Sequence, residues 1–383
     1  MLQLDLLRGV AILLVLFTHA VVPPTASGSW QRVLGYLHHL GPSGVDLFFV
    51  LSGFLVGGLL FKELRATGGL DVRRFLVRRA FKIWPSYFAF VGAMLLWLLM
   101  ANRLPLAASV GAVLPNLLHV QNYFGSPREH TWSLAVEEHF YLVLPLLLVL
   151  ATRLGPTSKA VRAVPWLALV LCVVCALLRL HAYAVEMPFN PHYATHLRVD
   201  SLFFGVLLAY FYHFAPHRLT FASTYRRALL CVGVTLLLLY PLLAMTDHGN
   251  LIVGSLGFVV LYLGYGCCLL VAIHTPIGVG RLGRQLAGVP ARTAAFIGYY
   301  SYPIYLWHID ATRPVGHVFA LSWTADWWPE LRWLVAFIVY VVFAVAAGMV
   351  FGILLEKPSL AVRDRLFPAR SGRISRPESP PTA

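Results

Sequence analysis

Apolar positions run from Leu6 to Val22, broken only by Arg8, Thr18 and His19. A run of that length matches the roughly 20 residues that a helix needs to cross a bilayer. The pattern returns nine more times, at 44–62, 86–102, 132–152, 163–181, 199–214, 227–246, 250–274, 294–310 and 333–355. The expected fold is all-α: a polytopic membrane helical bundle of about ten transmembrane helices. Between the second and third runs lies a basic stretch, Lys62 to Pro85, in which Phe75, Phe81 and Trp84 predict a helix lying on the membrane surface. No internal repeat is evident. One membrane domain is expected over residues 1–367, followed by a Pro/Ser/Arg-rich tail, 368–383, that reads as disordered.

Composition agrees with that pattern. The chain is 59% hydrophobic and 12% charged, with a mean hydropathy of +0.73, whereas soluble domains average about 45–50% apolar and about 25% charged residues. The net charge of +14 would point to nucleic acid in a soluble protein; here no nucleic-acid partner is expected. The charge follows the loops instead. With the N-terminus inside, the even-numbered loops and the tail hold most of the 30 Lys and Arg residues. The positive-inside bias therefore predicts both termini cytoplasmic and an even number of spans. The first run contains Arg8 and lacks a small-residue cleavage site, so it reads as a retained first helix. An integral protein of a bacterial inner membrane is expected. The five cysteines sit in apolar runs and read as small packing residues; Cys172 and Cys175 have redox-motif spacing without a polar setting.

Against this background the buried polar groups stand out. Eleven helical steps put Arg8 and His19 on one face, about 16 Å apart along the axis. A cation within a span costs about 2.5–3.5 kcal/mol on insertion scales. Four further runs place ionisable groups in the same half of the membrane as His19: Asp46, the pair Glu137 and Glu138, the pair Arg198 and Asp200, and His308. Blander roles compete for several of these. Asp46 and Asp200 also suit helix N-termini, and Glu137 and Glu138 suit interfacial charge. His308 beside Trp307 suits an aromatic belt, and Arg78 and Arg79 suit topology signalling or lipid headgroups. Adjacent residues point about 100° apart, so only one of Glu137 and Glu138 is expected to face the bundle.

A buried histidine near a carboxylate suits general base work. A basic patch at the opposite face suits a phosphate-bearing donor. Together they predict group transfer from cytoplasmic acyl-CoA, a co-substrate rather than a tightly bound cofactor, to a hydroxyl acceptor reaching the outer half. The glutamate or Asp46 would orient His19. No Walker motif or metal-ligand spacing is present. A transporter or exporter of acylated or anionic small molecules is the alternative, using the same charges as a relay.

Several stretches resemble the acyltransferase-3 family of integral membrane acyltransferases. LDLLRGVAILLVLFTHA resembles its opening Arg-x10-His motif, and GVDLFFVLSGFLVG its second-helix signature. FLVRRAFKIWPSYF resembles its basic segment. HTWSLAVEEHFYLVLPLLL, THLRVDSLFFGVLLA, SYPIYLWH and EKPSLAVRDRLFP resemble the later motifs in order. The resemblance covers about residues 4–367. It implies an O-acyltransferase, commonly an acetyltransferase, acting on a sugar, glycolipid or secondary metabolite. It assigns His19 as the base or acyl relay, Arg8 as its essential partner, and Arg78, Arg79 and Lys82 to the CoA phosphates. Asp46, Glu137, Arg198 and Asp200 would shape the site, with Glu138, Trp132 and His308 near the acceptor. Lys82 stands where arginine is usual, which removes bidentate phosphate binding there. Ser201 and His139 replace a small residue and a glutamine. Some relatives carry a C-terminal esterase-like domain for which this chain has no room.

Overall fold

A computed structural model of the chain describes residues 1–20, 29–100, 104–155, 157–185, 191–245, 253–312 and 328–368. Its main helices are α1 (Leu2–Thr18), α2 (Ser29–Leu40), α3 (Gly44–Thr67), α4 (Val72–Met100), α5 (Leu106–Leu117), α6 (Trp132–Arg153) and α7 (Thr157–Ala184). They continue as α8 (Asp200–Phe214), α9 (Arg226–Ala244), α10 (Phe258–Ile273), α11 (Val289–Tyr299), α12 (Ser301–Trp307), α13 (Pro329–Phe351) and α14 (Lys357–Leu366). No strand occurs among the described residues. Seven helical stretches among them are long and apolar enough to cross a membrane. The tail expected to be disordered lies, after Pro368, outside the described residues.

Three of the ten predicted spans are shorter than that length. α1 has 17 residues and α8 has 15. The run 294–310 is broken into α11 and α12. The break has a local cause: Pro303 has no N–H to donate to the Tyr299 carbonyl, so the helix restarts at Ser301. The basic stretch also differs from expectation. It is no separate surface helix but the first half of α4, continuous through Pro85, with Phe75 and Ile83 buried in the bundle. Gly68, at φ +73°, ends α3 with its N–H on the Leu64 carbonyl. Asp71 then caps α4 by accepting from the Arg74 N–H at 3.0 Å. From that cap Arg74, Arg78 and Lys82 step by four residues along one face.

Two crossings bring helix backbones into direct contact. A Cβ at Gly9 would lie 1.9 Å from the Ala294 carbonyl oxygen, and one at Gly298 would lie 1.8 Å from that of Asp5. These glycines press α1 onto α11. A Cβ at Gly53 would meet the Leu202 oxygen at 1.9 Å, and one at Gly205 the Val50 oxygen at 2.3 Å. These press α8 onto α3. Membrane helices gain little from apolar burial against one another, so close backbone approach through small residues is how they bind.

The second crossing carries the start of α8 to the start of α3, where ionic groups interlock. Arg198 donates to Asp46 at 3.1 Å, and Ser201 donates to the same oxygen at 3.2 Å. Arg179 of α7 is wholly buried and pairs with Asp200 at 2.6 Å. It also donates to the carbonyls of Ser255 and Leu197. The Arg198 guanidinium lies 3.7 Å from the centre of the Phe258 ring. Four helical segments are thereby tied at one level.

Gly53→Leu is expected to lower the thermal midpoint of the detergent-solubilised protein sharply, since overpacking costs about 1–3 kcal/mol or more. Gly92→Leu, at a position with open space around it, should leave the midpoint unchanged. Equal shifts in the two variants would remove the crossing from its place in the fold.

Candidate functional site

A cavity of about 690 Å³ lies among α3, α4, α6 and α12. Its wall on α3 extends from Val45 to Thr67, which is about 33 Å of helix. At the Thr67 end stand Lys62, Arg74, Arg78, Arg79, Lys82 and Arg363. At the Val45 end stand Phe48, Phe49, Ser133, Ser301 and Tyr305. Leu51, Leu55 and Val56 make the wall between them apolar.

Polar groups along this cavity are held in order. Tyr141 donates to Glu137 at 3.0 Å, and its oxygen is 2.9 Å from Ser52. Arg79 spreads over the rings of Tyr141 and Phe75. Glu137 lines the cavity and Glu138 does not; a Glu138 oxygen is buried without a hydrogen-bond partner. Arg8 also lines the cavity and is bonded to Asp5 at 3.0 Å.

The basic mouth is bridged by the C-terminal helix. Arg78 reaches Asp364 at 3.2 Å and donates to the Phe367 carbonyl, while Arg74 donates to that of Pro368. Lys82 lies 4.0 Å from Glu356, and Ser359 donates to the Phe81 carbonyl. Arg363 pairs with its neighbour Asp364 and borders the cavity.

Beyond Tyr305, at the other end, three imidazoles lie in a row. His19 and His308 have ring centres 4.8 Å apart, and His308 and His130 have theirs 4.9 Å apart. Tyr305 is 5.5 Å from His308 and 5.6 Å from His130. Its hydroxyl donates to the His130 carbonyl and is paired with Ser133 at 2.7 Å. Three different parts of the chain supply these rings. α1 ends at His19 and α12 at His308. His130 precedes α6 in a segment stitched to α4: Gln121 and Asn116 bond Thr131, and Tyr87 bonds the Asn116 carbonyl. An Arg128–Asp310 ion pair at 2.7 Å fastens that segment to the end of α12.

Each ring nitrogen that meets a carbonyl must be the protonated one, because a carbonyl oxygen only accepts. His19 therefore donates through Nδ1 to Val15, His308 through Nδ1 to Tyr305, and His130 through Nε2 to Leu306. In the neutral rings the lone pairs remain on Nε2 of His19, Nε2 of His308 and Nδ1 of His130. Among the described residues, no group of three His, Cys, Asp or Glu side chains is arranged to hold a metal ion.

Several predicted site residues thus sit elsewhere than expected. No carboxylate pairs with His19 among the described residues; the Val15 carbonyl orients it. Asp46 is occupied by Arg198 and Ser201, and Asp200 by Arg179. Trp132 stacks on Tyr193 at 5.0 Å and stands edge-on to Phe49. None of Asp46, Trp132, Arg198 and Asp200 borders the cavity. His19 and His308 do not border it either, but stand one ring beyond Tyr305. Sequence reasoning did not single out Arg179, His130, Tyr305 or Tyr141. The signal for Arg179 was there, a second arginine inside an apolar run.

A family model described as an acyltransferase domain matches residues 1–356. The chain belongs to this acyltransferase family. Among its relatives, a peptidoglycan O-acetyltransferase of Listeria monocytogenes is 26% identical over 342 residues, which is 82% of this chain and 50% of that protein. A Bacillus subtilis protein assigned the same activity by name is 28% identical over 326 residues, 80% of this chain and 47% of the relative. The chain thus spans about half the length of the curated relatives it matches. No solved structure matches it. The family match covers the three histidines and the cavity walls up to Glu356, leaving Arg363 outside it.

The hold on the C-terminal helix is open to test. Exposed ion pairs contribute about 0.2–1 kcal/mol each, so the double variant Arg74→Ala, Arg78→Ala should speed tryptic cleavage after Arg365 several-fold. An unchanged rate would show that the apolar contact of Phe81 with Phe367 suffices.

Proposed function

We propose that this chain moves an acyl group from acyl-CoA to a hydroxyl of a carbohydrate, with acetyl as the group and peptidoglycan glycan as the acceptor class suggested by the relatives. The observation that carries this reading is the cavity itself. It runs from a cluster of cations to within one ring of the row of histidines. Its volume falls in the usual range for ligand sites, about 300–1,000 Å³.

Roles follow from position. Arg74, Arg79, Lys82 and Arg363 at the mouth suit the phosphates of CoA. The apolar stretch along α3 suits the pantetheine arm, where Glu137 can accept an amide N–H. The thioester would then lie under Tyr305 and Ser133. His19 has its Nδ1–H committed to Val15, which leaves Nε2 to take the proton of the incoming hydroxyl. The charge bias of the loops would put the basic mouth in the cytoplasm and the histidines toward the outer leaflet. Asp46 and Arg198 act by holding α3 to the start of α8, and Asp200 by holding α8 to α7 through Arg179. Family membership favours transfer over transport.

Purified full-length protein in detergent, given acetyl-CoA and peptidoglycan glycan strands, should add acetyl groups detectable by mass spectrometry. His19→Ala should abolish the mass gain while eluting as the same monodisperse species. Transfer by His19→Ala at the wild-type rate would overturn its assignment as base. Arg79→Ala combined with Lys82→Ala should raise KM for acetyl-CoA about tenfold or more with a smaller effect on kcat, as expected when ground-state binding is removed. An unchanged KM would move the donor site elsewhere.

A further inference from the structure

We infer that Arg74 and Arg78 read the 3′-phosphate of CoA, and that the end of the C-terminal helix, Asp364 to Pro368, occupies both arginines until that phosphate displaces it. The inference rests on the acyl-CoA reading above and names the feature of the donor that the outer part of the mouth selects.

Order along α4 assigns the phosphates. Arg74, Arg78 and Lys82 share one face, each about 6 Å further along the axis than the last. α3 ends at Thr67 and α4 begins at Val72, so the two form a hairpin, with Arg74 near its turn and Lys82 deeper in the cavity. Arg79 is set deeper than Arg74 as well, over the ring of Tyr141. A donor that enters thioester first leads with its pantetheine arm. Its diphosphate follows, and its 3′-phosphate hangs from the far side of the ribose. The diphosphate then falls to Arg79 and Lys82, and the 3′-phosphate to Arg78 and Arg74.

Those two arginines hold a stand-in. Arg78 donates to an Asp364 oxygen at 3.2 Å and to the Phe367 carbonyl, and Arg74 donates to the Pro368 carbonyl. A carboxylate and two carbonyls at the partly negative end of a helix offer acceptors alone, as a phosphate does. The stand-in is the weaker ligand. Two of its three contacts are to neutral carbonyls, and hydrogen bonds to ionised oxygens are about twice as strong. The Asp364 side chain is 54% exposed, a setting in which an ion pair contributes little. A phosphate monoester brings a charge of about −1.5 to −2 on three strong acceptor oxygens. It can engage both arginines at once. Dephospho-CoA ends in a hydroxyl at that position and has no charge to offer there.

Displacement leaves the rest of the mouth intact. Ser359 bonds the Phe81 carbonyl and Glu356 lies beside Lys82, so the start of α14 is held separately. Arg363 comes before Asp364 and borders the cavity, within reach of the diphosphate. What gives way is the last turn, which besides the two arginines has the Phe367 ring against Phe81, centres 6.1 Å apart.

Calorimetric binding of CoA and of dephospho-CoA to the purified full-length protein, with tryptic cleavage after Arg365, tests the inference. CoA should bind about tenfold or more tighter than dephospho-CoA, the scale of a lost hydrogen-bonded charge. Saturating CoA should speed the cleavage several-fold, and saturating dephospho-CoA should leave it unchanged. Arg78→Ala should weaken CoA alone and bring the two affinities within about threefold. Asp364→Asn, which removes the competing charge, should tighten CoA by about threefold and dephospho-CoA by less. Equal affinities in the unaltered protein, or cleavage speeded equally by both ligands, overturn the 3′-phosphate assignment. Cleavage slowed by CoA overturns the displacement. Equal tightening of both ligands in Asp364→Asn reduces that residue to a general charge offset and overturns its place as a stand-in. In each of these outcomes CoA still binds, and the acyl-CoA reading stands. Binding of neither ligand by the unaltered protein overturns that reading and this inference with it.

Discussion

Backbone contact at two helix crossings is the constraint on which the site depends. α1 carries Arg8 near its middle and His19 at its C-terminal end, and Gly9 with Gly298 lets it lie directly on α11. α3 forms the long wall of the cavity, and Gly53 with Gly205 lets it lie directly on α8. Side chains at these positions would push each pair apart by the width of a methyl group or more. Arg8 would leave the cavity wall, and His19 would leave the ring of His308. In a bilayer no water-driven force restores such a contact, because lipid tails are as apolar as the helix faces.

The crossing of α3 and α8 also decides which charges serve structure. It brings Asp46, Arg198, Asp200 and Arg179 to one buried level where each finds an opposite charge. Building such pairs is close to neutral in free energy, but removing one member leaves an uncompensated buried charge at a cost of about 3–5 kcal/mol. They therefore specify the arrangement more than they stabilise it. Glu137 and Arg79 are held differently, by a tyrosine hydroxyl and by ring faces. The first group closes on itself; the second faces a cavity.

Much of this was legible in the sequence, and the failures share one cause. The apolar runs announced the membrane-length helices but not α2, α5 or α14, and the glycine cap with Asp71 after it marks the turn into α4. The same-face placement of Arg8 and His19 follows from helical period alone. What the pattern could not supply was partnership across helices. Asp46 and Glu137 were both reasonable neighbours for His19, yet Asp46 is claimed by Arg198 and Glu137 by Tyr141. His130 lies before its helix begins, where periodicity says nothing. It reaches the other histidines only because the segment before α6 is stitched to α4 through Asn116, Gln121 and Thr131. Pro303 could have signalled the break in the run 294–310, but an apolar run of seventeen residues masks a proline that a neighbouring restart can accommodate.

Electrostatics separates the mouth of the cavity from the buried pairs. The cavity wall holds seven basic side chains, Arg8, Lys62, Arg74, Arg78, Arg79, Lys82 and Arg363, against three acids, Glu63, Glu137 and Glu356. The C-terminal helix offsets part of the excess through Asp364 and two backbone carbonyls, but it brings Arg363 with it. A purely structural cluster would be expected to close its own charge, as Arg179 and Asp200 do. Like charges gathered around an open volume repel one another until an anion of matching valence arrives, and the repulsion they lose then adds to its affinity. A carrier with several phosphates answers that requirement better than a single carboxylate, and the apolar wall beyond the mouth suits what such a carrier would trail behind its charge.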